Sequence, residues 1–254
     1  MSLLDNPFDP AREAALVTGA GNGIGRAIAQ ALVGEGVRTV FADINRDTVT
    51  AAVKTSPRPE LAVPFVGDLA NRAARDALLA DAQSALGRVT HFVHSASPAR
   101  READHAMAVS HETWAQMHAV NLEAGFHLAR ELARPLIAVK EPGSFLFLTS
   151  LHSGTPRNLP HYSTAKAALA MLVKELAKTF GRFGIRVNAL APGFFRSEMT
   201  DQYADDYVAG QLHRVLAGRW GEGSELAAAL VFLVSEAGSY VTGQTLVVDG
   251  GLTV

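Results

Sequence analysis

The chain has 254 residues, 48% hydrophobic and 19% charged, which is enough for one large core. Its 23 Lys and Arg are scattered among 25 Asp and Glu, so it offers neither a basic stripe for nucleic acid nor a polybasic patch for a membrane surface, and a small-molecule partner is expected. Cysteine is absent, which excludes disulfides, thiolate catalysis and cysteine-ligated zinc.

No signal-peptide pattern opens the sequence, and no segment reaches the roughly 18 apolar residues of a membrane span, so the expected location is cytoplasmic. Short runs rich in Val, Leu and Phe alternate with longer helical patterns. Strands are predicted near 14–18, 37–42, 61–66, 89–94, 144–149, 185–190 and 245–248. Helices fit between them at about 23–34, 46–54, 70–86, 111–134, 161–182 and 224–235, each long enough for a right-handed crossover. This alternation predicts an α/β fold: a single doubly wound Rossmann-type domain over 1–254, with an approximately seven-stranded parallel sheet and helices on both faces. No linker, repeat or charge block divides it; the breaker-rich Thr55-Ser56-Pro57-Arg58-Pro59 is read as a surface loop.

Between the first strand and first helix lies Thr18-Gly19-Ala20-Gly21-Asn22-Gly23-Ile24-Gly25. Glycine permits positive φ and a close backbone approach, and the N-terminus of the helix that follows favours a pyrophosphate. The second strand ends at Asp43, eighteen residues after Gly25, near the spacing expected of an acid that binds ribose hydroxyls and repels a 2′-phosphate. The plainer alternative is that Asp43 caps the next helix, and Arg46 complicates the choice by its positive charge. On balance NAD(H) is preferred over NADP(H).

Further on, Tyr162 and Lys166 are one helical turn apart and share a face, with Ser150 twelve residues before the Tyr. A Tyr hydroxyl titrates near pH ~10, and a neighbouring ammonium favours its ionised form, which suits proton transfer. The same spacing occurs on ordinary amphipathic helices, where Lys snorkels past a half-buried Tyr. The consistent order of phosphate turn, acid, Ser, Tyr, Lys and a Pro-Gly loop favours the functional alternative. Nine histidines show no metal-ligand spacing, so no metal is expected; His152 and His161 stand out only because they lie beside Ser150 and Tyr162, as candidate substrate contacts.

These motifs together resemble the short-chain dehydrogenase/reductase family from about Ala15 to Gly251. Thr18 to Gly25 matches its TGxxxGxG turn, Tyr162-Ser163-Thr164-Ala165-Lys166 its YxxxK, and Arg186 to Gly193 the loop over nicotinamide. Tyr240-Val241-Thr242-Gly243-Gln244 through Asp249-Gly250-Gly251 matches the family's usual ending. The resemblance implies a catalytic set of Asn121, Ser150, Tyr162 and Lys166: Tyr162 transfers the proton, Lys166 supports it and binds the nicotinamide ribose, Ser150 holds the substrate oxygen, and Asn121 binds a water from an irregularity in its helix. It implies cofactor contacts from Gly19, Asn22, Gly23, Ile24, Gly25, Asp43, Ile44, Asp68, Leu69, Ser95, Ala96, Ser97, Pro192, Gly193, Phe195 and Ser197, besides Tyr162 and Lys166. A substrate lid near 197–214 is implied as well, with apolar walls from Phe194, Phe195, Met199 and Tyr203.

The chain departs from the family where the usual Asn-Asn-Ala-Gly reads His94-Ser95-Ala96-Ser97, which bears on cofactor affinity. The serine also stands one residue closer to the tyrosine than is common, so Thr149 and Ser153 compete with Ser150 for its role. The expected activity is an NAD(H)-dependent interconversion of a secondary alcohol (a polyol, sugar or hydroxy acid) and a ketone. The alternatives are a 3-oxoacyl-thioester reductase, an epimerase or dehydratase using the same pair, or a non-catalytic dinucleotide sensor. A homotetramer, or a homodimer, is implied through apolar stripes that include Phe126, Leu132, Ala168, Met171, Leu172 and Leu176. Ala99-Arg100-Arg101 and His152 leave room for a polar or anionic substrate.

Overall fold

The computed structural model describes residues 7–196, 210 and 212–254. Seven parallel strands form one sheet: β1 (Ala14–Thr18), β2 (Arg38–Asp43), β3 (Ala62–Val66), β4 (His91–His94), β5 (Gly143–Leu148), β6 (Ile185–Pro192) and β7 (Thr245–Val248). Their order is β3-β2-β1-β4-β5-β6-β7, so the chain reverses its direction of travel across the sheet between β1 and β4. In such a sheet the crevice beyond the strands' C-terminal ends, at the reversal, is where ligands bind.

The strands are apolar on both faces because both faces are covered, and alternate residues feed different cores. Ala15, Val17, Phe41, Val93 and Leu146 meet α1 (Gly23–Gly34), α2 (Arg46–Lys54) and α7 (Gly223–Val234) through Ile28, Leu32, Val49, Leu226 and Leu230. On the other face, Leu16, Val40, Phe92, Phe145 and Phe147 meet α3 (Arg72–Leu86), α5 (Gly125–Val139) and α6 (Pro160–Phe180) through Leu78, Leu128, Leu136, Leu169 and Val173.

The predicted helix over 111–134 is divided and extended. Residues His111–His118 form α4, Ala119–Ala124 a π-helical turn, and α5 then continues through Pro135 to Val139. Pro135 removes one backbone donor. The buried Leu132 and Leu136 on either side hold the helix together across that gap. Lys140, in the left-handed conformation at φ 57°, ends it. Among the described residues, no helix is long and apolar enough to cross a membrane.

Candidate active site

A cavity of about 570 Å³ opens along the C-terminal ends of β1, β4, β5 and β6, and its wall runs from the glycine-rich turn to Tyr162 and Lys166. At its first end, Gly19 has φ 68°, and a Cβ there would lie 2.8 Å from the backbone of Ala96. A Cβ on Gly25 would run into the carbonyl oxygen of Gly19. Any side chain at these two points would force the turn off the end of β4. Asn22, the N-cap residue of α1, makes no side-chain cap bond, and Asn22, Gly23, Ile24 and Gly25 all line the cavity.

Asp43 does not cap α2. Its Oδ2 accepts from the Gly21 N–H at 2.9 Å and its Oδ1 from the Asn45 N–H at 3.0 Å, tying the glycine-rich turn to the end of β2. The cap is Asn45, whose side chain accepts from the N–H groups of Asp47 and Thr48. The cavity wall includes Asp43, Ile44 and Asn45, whereas Arg46 is exposed outside it. Asp68 and Leu69 are also at the wall; Asp68 closes its own loop by accepting from Ala70 N–H at 2.9 Å, and Leu69 is packed into the core.

The unusual segment after β4 has its own logic. Thr18 Oγ1 accepts from the N–H groups of Ser95 and Ala96 at 3.2 and 3.3 Å, which leaves its proton for His94 Nδ1 at 2.9 Å. His94 Nε2 then carries the ring proton and faces the carbonyls of Val120 and Asn121 at 3.0 and 3.1 Å. Burial, with a smaller push from the Lys166 charge, lowers His94 to about 4, so the ring is neutral as this pattern requires. One imidazole thus joins β1, β4 and the π-helical turn.

That turn places Asn121 out of solvent rather than on a helix surface. Its Nδ2 donates to the Met117 carbonyl at 3.0 Å, while its Oδ1 is buried without a partner among the described residues. At the end of β5, Thr149 spends its hydroxyl on the Leu190 carbonyl at 2.9 Å, and Ser153 does not line the cavity. Ser150 does, and it starts a short 3₁₀ turn by accepting from His152 N–H at 3.2 Å. Of the three hydroxyls, that of Ser150 lines the cavity without donating to a strand carbonyl as Thr149 does.

Tyr162 and Lys166 share the inward face of α6, with Lys166 Nζ 5.7 Å from the Tyr162 ring centre. Lys166 is buried and donates to the Leu148 carbonyl at 2.7 Å. Burial first, and the Arg100 charge second, lower it to about 7. His161 is not a wall residue: one position along α6 turns the side chain by about 100°, and its buried ring nitrogens have no partner among the described residues. His152 does reach the wall, its ring 6.4 Å from that of Tyr162, and burial keeps it below the usual histidine range.

Ser95, Ala96, Ser97, Pro192, Gly193, Phe194 and Phe195 complete the shared wall, with Phe194 stacked on Trp220. Ser197, Met199 and Tyr203 lie outside the described residues, as does most of the expected lid. Sequence reading missed Gln116, Arg157 and Trp220, which stand at the wall without any motif or spacing to mark them. Among the described residues, no group of His, Asp and Glu is arranged to hold a metal ion.

Comparison with known proteins gives a consistent result. A family model described as enoyl-(acyl carrier protein) reductase matches residues 19–253. The chain is 37% identical over 246 residues to galactitol 2-dehydrogenase (L-tagatose-forming) of Cereibacter sphaeroides, covering 94% of each. A gluconate 5-dehydrogenase from Burkholderia cenocepacia, solved with NADP and tartrate, superposes with a TM-score of 0.89 at 33% identity, over 99% of each chain. A 4-hydroxyisoleucine dehydrogenase solved with NADH gives a TM-score of 0.88 at 26% identity, over 95% of this chain and 99% of that one.

Proposed function

Because the chain belongs to the short-chain dehydrogenase/reductase family and is an enzyme acting on CH–OH groups, we propose that it interconverts a secondary alcohol and a ketone with NAD(H), using Tyr162 as the general acid and base. The observation that carries this reading is the single cavity in which Ser150, Tyr162 and Lys166 face the same space as the glycine-rich turn and Asp43.

The cavity wall made by Gly19 and Asn22 to Gly25 at the N-terminus of α1, where Asn22 makes no side-chain cap bond, fits a dinucleotide phosphate lying against backbone. Gly19 and Asn22 to Gly25 would hold the phosphates, Asp43 and Ile44 the adenosine ribose, Asp68 and Leu69 the adenine, and Ser95, Ala96, Ser97, Pro192, Gly193 and Phe195 the remainder. When bound, the nicotinamide supplies or accepts the hydride. Tyr162 gives a proton to the substrate oxygen, or takes one from it. The Lys166 charge supports the phenol oxygen as the proton leaves, and Ser150 donates to the substrate oxygen as negative charge develops there. Asn121, held inside by the π-helical turn with its Oδ1 unpartnered among the described residues, would accept from a water that links Lys166 to solvent.

Asp43 supports NAD(H) over NADP(H), since its carboxylate is already fixed by two backbone N–H groups and would repel a 2′-phosphate. The same residue weighs against a 3-oxoacyl-thioester reductase, which more often uses NADPH. The assay is a panel of alcohols, polyols, sugars and hydroxyacyl thioesters with NAD⁺ and NADP⁺, followed at the nicotinamide absorbance. Turnover of a secondary alcohol, faster with NAD⁺, is expected. No turnover at all would leave a dinucleotide sensor; equal or faster turnover with NADP⁺ would refute the cofactor preference.

Two further faces support assembly into a homotetramer. Trp114, Phe126 and Met171 are exposed on α4, α5 and α6, and Phe232, Leu246 and Val247 on α7 and β7.

A further inference from the structure

The charged groups of the cavity are segregated. Asp43 and Asp68 stand at the end near the glycine-rich turn, while Arg100, Arg157 and Lys166 stand at the end with Ser150 and Tyr162. The three cations are not equivalent. Arg157 forms an ion pair with Glu102 and reaches His152 Nε2 at 3.5 Å, so its charge is already matched. Lys166 is committed to the Leu148 carbonyl. Arg100 makes no hydrogen bond or ion pair with another described residue, and its guanidinium lies over the Tyr162 ring, 4.7 Å from the ring centre.

A guanidinium stacked on a ring keeps its edge N–H groups available, and those groups match a carboxylate in a paired, planar geometry. Its position over the Tyr162 ring puts an anion held there beside the group that exchanges a proton with the substrate oxygen. His152 closes the same region. Its Nδ1 faces the Thr155 carbonyl at 3.1 Å, so it donates there and turns an acceptor, Nε2, towards Arg157. Among the described residues, a neutral His152 leaves Arg100 as the guanidinium of the cavity wall without a counter-charge.

We propose that Arg100 is an anion-binding subsite for substrate, and that this enzyme acts on a hydroxy acid and the corresponding keto acid, with the carboxylate close to the reacting carbon. This rests on the alcohol dehydrogenase reading above. It narrows the candidate substrates, since a neutral polyol would leave the Arg100 charge unmatched in a partly dehydrated cavity. An anion on Arg100 has a second effect: it offsets the Arg100 charge, which after burial is the lesser of the two causes disfavouring the ammonium form of Lys166.

The test compares matched pairs that differ in one terminal group, gluconate against sorbitol and galactonate against galactitol, with NAD⁺ and NADP⁺, in the wild-type chain, Arg100→Met and Arg100→Lys. The wild type is expected to favour the acid by at least about tenfold in kcat/KM, equivalent to about 1.4 kcal/mol. Arg100→Met should collapse this acid-to-polyol ratio through the KM of the acid, and Arg100→Lys should restore part of it. Wild-type preference for the polyol, or a ratio unchanged by Arg100→Met, overturns the proposal. An equal fall in kcat for both members of a pair also overturns it, assigning Arg100 to the Tyr162–Lys166 pair alone. If nothing is turned over, the dehydrogenase reading fails and the subsite is judged by malonate calorimetry, with and without NADH. Binding at least about tenfold weaker in Arg100→Met upholds it, and equal or absent binding overturns it.

Discussion

Replacing Tyr162 by Phe removes only a hydroxyl, so folding and NADH binding should be kept while turnover falls by at least about 100-fold, the usual scale for losing a general acid. Single-turnover assays beside NADH fluorescence titration separate the two. Lys166 gives a second test. Its value of about 7 in the folded chain lies below the ordinary 10.5, so between these pH values the unfolded chain binds more protons and stability rises with pH. Below about 7 the cost of burying the ammonium is present in full. Thermal melts of the cofactor-free protein should therefore show Tm rising from pH 7 towards pH 10 relative to Lys166→Met. His94 titrates on the acid side: stability is unaffected above 6.5, falls as the pH drops from 6.5 to about 4, and loses about 3 kcal/mol in all. His94→Asn should flatten that fall in the same melts.

At this scale the sequence was readable where a motif fixed geometry, as with the Tyr162–Lys166 pair. It was ambiguous where one residue suited two roles. Asp43 reads as a ribose contact or as a helix cap, and only its bonds to the backbone donors of Gly21 and Asn45 show that it does not cap α2. Arg157 and Trp220 reach the cavity through tertiary packing, for which local spacing carries no signal.

Among the elements, α2 offers a clean stability test, since its first turn depends on one side chain. Asn45→Ala should cost about 1 kcal/mol in urea unfolding with an unchanged m-value. The strands were legible because a sheet covered on both faces demands uninterrupted apolar runs with few alternatives. The π-helical turn was not legible from periodicity, because Ala119–Ala124 is too short to establish a period of its own, and only family resemblance implied an irregularity at Asn121. The end of α5 was misplaced because Pro135 reads as a stop, although burial of Leu132 and Leu136 outweighs its missing donor.

For the molecule as a whole, the two exposed apolar faces predict association through separate contacts. Sedimentation at micromolar concentration should give a tetramer, Met171→Glu and Val247→Glu should each yield dimers, and the double variant should yield monomers. A monomeric wild type would refute this. The imidazole of His94 has a use of another kind. It touches β1 beside the glycine-rich turn through Thr18 and the backbone of Asn121 on its other side, and it is sealed from solvent. In nitrogen-15 spectra of the labelled protein its two ring signals should stand apart from those of the exposed histidines. Nδ1 should respond to filling of the dinucleotide end and Nε2 to movement of the π-helical turn, giving a built-in probe of each half of the cavity.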